Sequence, residues 1–179
     1  MTGALGIYKK ELLKWSERVN LVGPEARANL DAHIEEALAA AAHLKPRGNV
    51  LDFGSGGGLP AIPMAIASPE SRWSLVEADQ KKWSFLKHVA RECGLSAVIY
   101  GDRLDRVLKR LPADLRFSLV TSRAVGNPEE WVPLIAERVV GRFALFQSTP
   151  GAPSFADAVE VFPLPRGASN YLVTFHVKQ

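Results

Sequence analysis

The chain has 179 residues, of which 47% are apolar and 23% charged. That is enough for one domain with a full hydrophobic core, and the composition excludes disorder over most of the length. Lys and Arg total 22 against 19 Asp and Glu, a net charge of +3 with a pI near 9.1, which permits an RNA partner without demanding one.

Leu5, Tyr8, Leu12, Trp15 and Val19 recur at three and four residues and predict a helix over 5–21. Gly23-Pro24 ends it, and an alanine-rich second helix is expected over 27–44, closed by Pro46-Arg47-Gly48. The character then changes. A short apolar strand at 49–53 stops at a glycine cluster, and 60–67 reads as a helix. Strands are expected at 72–76, 97–100, 117–122 and 142–146. The helices between them are placed at 79–93, 102–111 and 128–140. After the Pro/Gly/Ser-rich stretch 148–154 come two strand candidates, 158–162 and 171–177. Alternating apolar strands and helices predict an α/β, Rossmann-like fold. Its sheet has seven mostly parallel strands with helices on both faces, and the last two strands form an antiparallel edge. Residues 1–47 read as a helical extension packed on a ligand-binding domain, 48–179.

The strongest local signal is Asp52-Phe53-Gly54-Ser55-Gly56-Gly57-Gly58-Leu59-Pro60, which follows a strand and opens a helix. Glycine permits a sharp turn and lets a ligand lie against bare backbone. Dinucleotides use Gly-x-Gly-x-x-Gly, with the pyrophosphate at the helix N-terminus. Here the spacing is Gly-x-Gly-x-Gly, with an acid two residues before it. S-adenosylmethionine carries an ammonium and a carboxylate but no phosphate, so that acid suits it. A purely structural turn is the remaining reading. Glu77 ends the second strand about twenty residues on, where a carboxylate can accept from both ribose hydroxyls. Gly101-Asp102-Arg103-Leu104-Asp105 follows the third strand; its acids either meet an adenine amino group or cap the next helix. Arg123 ends the fourth strand, at or near the ligand crevice of an open parallel sheet.

Taken together these residues resemble the ribosomal RNA small subunit methyltransferase G family. The resemblance rests on Lys14-Trp15 with Asn20-Leu21, on His33-Ile34, on Lys81-Lys82 with Phe85-Leu86, and on Ser122-Arg123-Ala124. Its most specific part is the loop running through Gly58-Leu59-Pro60-Ala61-Ile62-Pro63. The resemblance implies S-adenosylmethionine as cofactor and N7 of a guanine in small-subunit (16S) ribosomal RNA as methyl acceptor. Its cofactor contacts fall on Gly54, Leu59, Leu104, Asp105 and Arg123, with Arg123 also the candidate catalytic residue. Glu77 is added on fold logic, and Ser55, Gly56, Ala78 and Arg103 flank these positions in the same site. Two departures stand out: Val22 where the family has Thr, and Phe146-Gln147 where it has Lys-Gly.

Guanine N7 has an in-plane lone pair and needs no deprotonation, so alignment alone can carry the transfer. Lys9, Lys10, Lys14 and Arg18 on the first helix, and Arg103, Arg106 and Arg110 on a later one, are candidates for the RNA backbone. The expected partner is small-subunit ribosomal RNA or the ribosomal subunit, with no membrane, no metal and a monomeric chain. One cysteine, Cys93, excludes an intrachain disulfide and reads as a structural thiol. With no apolar run of ~18–20 residues and no signal-peptide pattern at the N-terminus, the cytoplasm is expected. Two other readings stay open: a divergent methyltransferase acting on a small molecule or protein, and a non-catalytic S-adenosylmethionine-binding homologue.

Overall fold

The computed structural model describes residues 3–165 and 170–177. Three helices lead: α1 (Ala4–Trp15), α2 (Pro24–Ala28) and α3 (Leu30–Leu44). Then strands and helices alternate: β1 (Asn49–Phe53), α4 (Ala61–Ala67), β2 (Arg72–Val76), α5 (Gln80–Glu92), β3 (Ala97–Tyr100), α6 (Leu104–Arg110), β4 (Phe117–Arg123), α7 (Pro128–Ile135) and β5 (Val139–Gln147). Strands β6 (Ala156–Pro163) and β7 (Tyr171–Val177) follow with no helix between them.

The strands form one seven-stranded sheet in the order β3-β2-β1-β4-β5-β7-β6. β1 to β5 pair in parallel, and β7 enters antiparallel between β5 and β6, as the terminal pair of strands predicts. Strand order reverses between β1 and β4, which opens a crevice beyond their C-terminal ends. Neighbouring residues of a strand face opposite ways, and the core shows it. Val50 joins a buried cluster with Tyr8, Leu12, Ile34, Ile62 and Phe85, whereas Leu51 joins Val107, Phe117, Trp131, Phe143 and Phe175 on the other face. Each fully buried Leu or Phe contributes about 1.5–3 kcal/mol.

Three boundaries differ most from the sequence expectation. α1 stops at Trp15 rather than running to residue 21, because Leu21 and Val22 leave the helix to pack on the glycine loop: a Cβ on Gly57 would lie 3.0 Å from the Leu21 carbonyl and 3.1 Å from Val22. The second helix starts earlier, with Pro24 in its first turn, and breaks at Asn29 (φ −108°, ψ 26°) before α3 resumes. Asn competes for backbone hydrogen bonds and sits poorly inside helices. α7 ends at Ile135, and after a single 3-10 turn over Ala136–Arg138 the β-branched pair Val139-Val140 joins β5, where Val139 pairs with Phe117.

Cys93 is half-buried and donates to the Ala4 carbonyl (3.4 Å). Burial pushes its thiol up to about 11, which leaves it un-ionised at neutral pH.

Candidate active site

The glycine loop leaves β1 at the point where strand order reverses, and its backbone is held from several sides. Gly54 and Ser55 donate their amides to the Val76 carbonyl (2.9 and 3.1 Å), Gly56 to Glu77 Oε2 (2.8 Å) and Gly58 to the Ser55 carbonyl (2.6 Å). Tyr8, fully buried on α1, donates its hydroxyl to the Gly57 carbonyl (2.8 Å). Gly54, Gly56 and Gly58 take φ of 72°, 53° and 84°, the left-handed region that favours glycine. A methyl on Gly54 would overlap Val125 Cγ2. A Cβ on Gly56 meets nothing nearer than the Gly54 carbonyl at 3.7 Å, so this face of the loop looks onto open space.

Two cavities meet at this loop. One of about 430 Å³ is lined by Gly54, Glu77, Ala78, Arg103, Leu104 and Asp105, with Trp131 across from them. Another of about 520 Å³ is lined by Gly54, Ser55, Gly56, Leu59, Glu77 and Arg123, together with Lys82 and Val22. Every site residue expected from the sequence except Asp52 therefore borders one or both, and Gly54 and Glu77 stand at the junction. A third cavity, of about 400 Å³, continues past Arg123 along the ends of β4 and β5, between Trp131, Gln147 and Ser148. All three share Val125 and Gly126. These sizes suit small-molecule ligands.

Particular roles shift from the sequence expectation. Both Glu77 oxygens are engaged by backbone, Oε2 by Gly56 N and Oε1 by Asp79 N (2.8 Å each). It thus clips the loop to the end of β2, with lone pairs left for a ligand. Asp52, read as a partner for the cofactor's ammonium, is only 1% exposed and accepts from the Thr121 hydroxyl (2.6 Å) behind the loop. Burial pushes its carboxyl up to about 7; hydrogen bonds from Thr121 and Ser55 oppose this and Glu77 adds to it. Asp102 does not cap α6. It accepts from the Arg103 amide (2.8 Å) and pairs with Arg110 (2.9 Å) and Arg106 (3.6 Å). The proposed RNA-facing cations are thus mixed: Arg106 and Arg110 share Asp102, Lys9 pairs with Asp31 (2.6 Å), and Lys10, Lys14 and Arg18 are exposed.

Arg123 is the most enclosed cation of the site, its side chain 12% exposed. Its Nη1 lies 3.4 Å from Glu36 Oε2, and His33 Nδ1 lies 3.0 Å from the same oxygen, with both α3 side chains fully buried. Burial draws the guanidinium below its usual range, and Glu36 is the main group restoring it. Sequence reading missed Glu36, Val125 and Trp131. Glu36 looked like one more acid on an alanine-rich helix, and only its i,i+3 spacing from His33 hinted at a pair.

A phosphate cradle needs free amides pointing at the ligand, and here the amides of Gly54, Ser55, Gly56 and Gly58 are spent on the protein itself. That counts against the dinucleotide reading. Sheet order, loop spacing and the acid ending β2 define a class I S-adenosylmethionine-dependent methyltransferase. Two solved structures share this fold at low sequence identity. An O-methyltransferase from Streptomyces achromogenes involved in tomaymycin synthesis, in complex with the cofactor, has a TM-score of 0.66 at 14% identity over 99% of this chain and 91% of that one. An S-adenosylmethionine-dependent O-methyltransferase from Thermotoga maritima has a TM-score of 0.66 at 13% identity, over 96% of this chain and 72% of that one.

The chain belongs to the rRNA small subunit methyltransferase G family, whose model matches residues 1–149. The ribosomal RNA small subunit methyltransferase G of Helicobacter acinonychis is 36% identical over 130 residues, covering 71% of this chain and 70% of that protein. The protein of that name from Helicobacter bizzozeronii is 31% identical over 152 residues, covering 83% of each. No helix among the described residues is long and apolar enough to cross a membrane.

Proposed function

We propose that this chain transfers a methyl group to N7 of a guanine in small-subunit ribosomal RNA, using S-adenosylmethionine. The observation that carries the reading is the continuity of the cleft: the glycine-loop cavities run past Arg123 into a further cavity at the ends of β4 and β5. One end suits a nucleoside with an amino-acid tail and the other an acceptor base.

The fit of the cofactor rests on the open face of Gly56 and on the acids and apolar wall around it. Glu77 would accept from the ribose hydroxyls, Leu104 and Asp105 would flank the adenine, and Gly54, Gly56 and Leu59 would border the amino-acid end. The bound cofactor supplies a methyl group already activated by its sulfonium. Guanine N7 is nucleophilic as it stands, so the protein's contribution is orientation and exclusion of water rather than proton removal. The buried Asp52 fits that division: it lies behind the loop and supports it from within. Arg123, at the seam between the cavities, would hold an oxygen of the base or the cofactor carboxylate in line. N7 lies in the major groove, which is deep and narrow in A-form RNA, so the target base must be unpaired or splayed. The exposed Lys10, Lys14 and Arg18 would hold its backbone. We further propose that the chain acts as a cytoplasmic monomer without a metal.

Mass spectrometry of modified nucleosides in small-subunit RNA, from cells with and without the gene, tests this directly. Loss of N7-methylguanosine on deletion is the expected result. One feature favours a second reading, a small-molecule or protein acceptor. Gln147, at the lip of the third cavity, is neutral, and its amide is turned to the Gly151 carbonyl (2.7 Å). Unchanged RNA modification, with binding to RNA negligible even at low salt, would move the assignment there.

A further inference from the structure

Arg123 stands where two cavities meet, and a flexible cation there would be a poor aligning group unless something fixed it. The candidate is on the helix behind it. Glu36 is fully buried, a placement that carboxylates rarely take unless paired. Its Oε2 is the shared point of a short chain, 3.0 Å from His33 Nδ1 and 3.4 Å from Arg123 Nη1. His33 is also fully buried, and its Nε2 meets no partner among the described residues, so the ring's polar contact there is the one it makes with Glu36 through Nδ1. In the tautomer that donates from Nδ1, the imidazole holds the carboxylate from the α3 side while the guanidinium meets it from the β4 side. Ser122 steadies the strand end itself by donating to the Phe53 carbonyl (3.0 Å).

We propose that Glu36 is a positioning residue for the transfer reaction. It holds Arg123 at the seam between the glycine-loop cavity and the cavity lined by Trp131 and Gln147, and His33 fixes the carboxylate. Glu36 borders none of the three cavities, so its influence passes through the guanidinium. The proposal rests on the reading above that this cleft aligns a cofactor with an acceptor base.

A double-mutant cycle on kcat tests it, with small-subunit particles from cells lacking the gene as acceptor. Glu36→Gln keeps the side chain's shape and removes its charge; it is expected to lower kcat about tenfold, and Arg123→Ala by about a hundredfold. The double variant is expected to match Arg123→Ala within about a factor of two, because two residues acting through one group are not additive. Multiplying effects, or a Glu36→Gln enzyme with unchanged kcat, would overturn the proposal. A purely structural role would lower the amount of folded enzyme and leave kcat per folded molecule intact. If Glu36→Gln does not fold, Glu36→Asp takes its place, since it keeps the charge but withdraws it from Nη1. If the unmodified protein binds cofactor but methylates no ribosomal RNA, the acceptor reading fails. The cycle is then read by calorimetry with S-adenosylmethionine: non-additive affinities support the positioning role, while additive affinities, or an Arg123→Ala protein binding as tightly as the wild type, overturn it.

Discussion

At Asp52 the fold holds a carboxyl proton that the unfolded chain gives up easily. The buried group titrates at about 7, whereas an unfolded Asp titrates near ~3.9. Between those values the native state carries more protons than the unfolded one, so stability falls as pH rises and the loss levels off above pH 7. The full span corresponds to on the order of 4 kcal/mol. Asp52→Asn copies the protonated carboxyl and can still accept from Thr121. Thermal melts are expected to coincide for the two proteins near pH 4 and to favour the variant by several degrees near pH 8. Parallel curves would rule Asp52 out as the titrating group.

The glycines give a paired prediction. Gly56→Asp adds a side chain to an open face, in a left-handed conformation that Asp tolerates better than most residues. Calorimetry is expected to show a folded protein with cofactor affinity reduced more than about a hundredfold, a loss above ~2.7 kcal/mol. Gly54→Ala should instead lower stability, by about 1–3 kcal/mol, because its methyl overlaps Val125 and its φ is 72°. A Gly56→Asp protein that binds normally would place the ligand elsewhere.

Among the elements, legibility followed periodicity. β1, β2 and β3 were readable to the residue, since short apolar runs between turn signals leave little choice. The ends of α1 and α7 were not, because long-range contacts set them. Leu21 and Val22 look like a last helical turn until the glycine loop is there to pack against. Val139 and Val140 look like a helix end until β4 offers a pairing edge. The lining of the candidate cleft was legible wherever it sat at a strand end, as with Glu77 and Arg123. Glu36 and Val125 were not, because burial and approach across the fold give them their roles and neither leaves a local pattern.

For the molecule as a whole, the first helices share one buried cluster with the sheet: Tyr8, Leu12 and Ile34 lie with Val50, Ile62 and Phe85. Residues 48–179 alone would expose that face. Removing residues 1–47 is therefore expected to yield protein that aggregates or melts without cooperativity, and it would also delete Glu36. A cooperative melt that keeps cofactor affinity would instead show that the extension is dispensable for the core.

The bonded amides of the glycine loop carry a consequence in time rather than in energy. Gly54, Ser55, Gly56 and Gly58 already donate to Val76, Glu77 and Ser55, with Tyr8 closing the Gly57 carbonyl. Their protons should exchange with solvent at rates set by opening of the core rather than by free loop motion. Cofactor arrival then has little disorder to remove, so its association rate should be that of diffusion into a ready cleft.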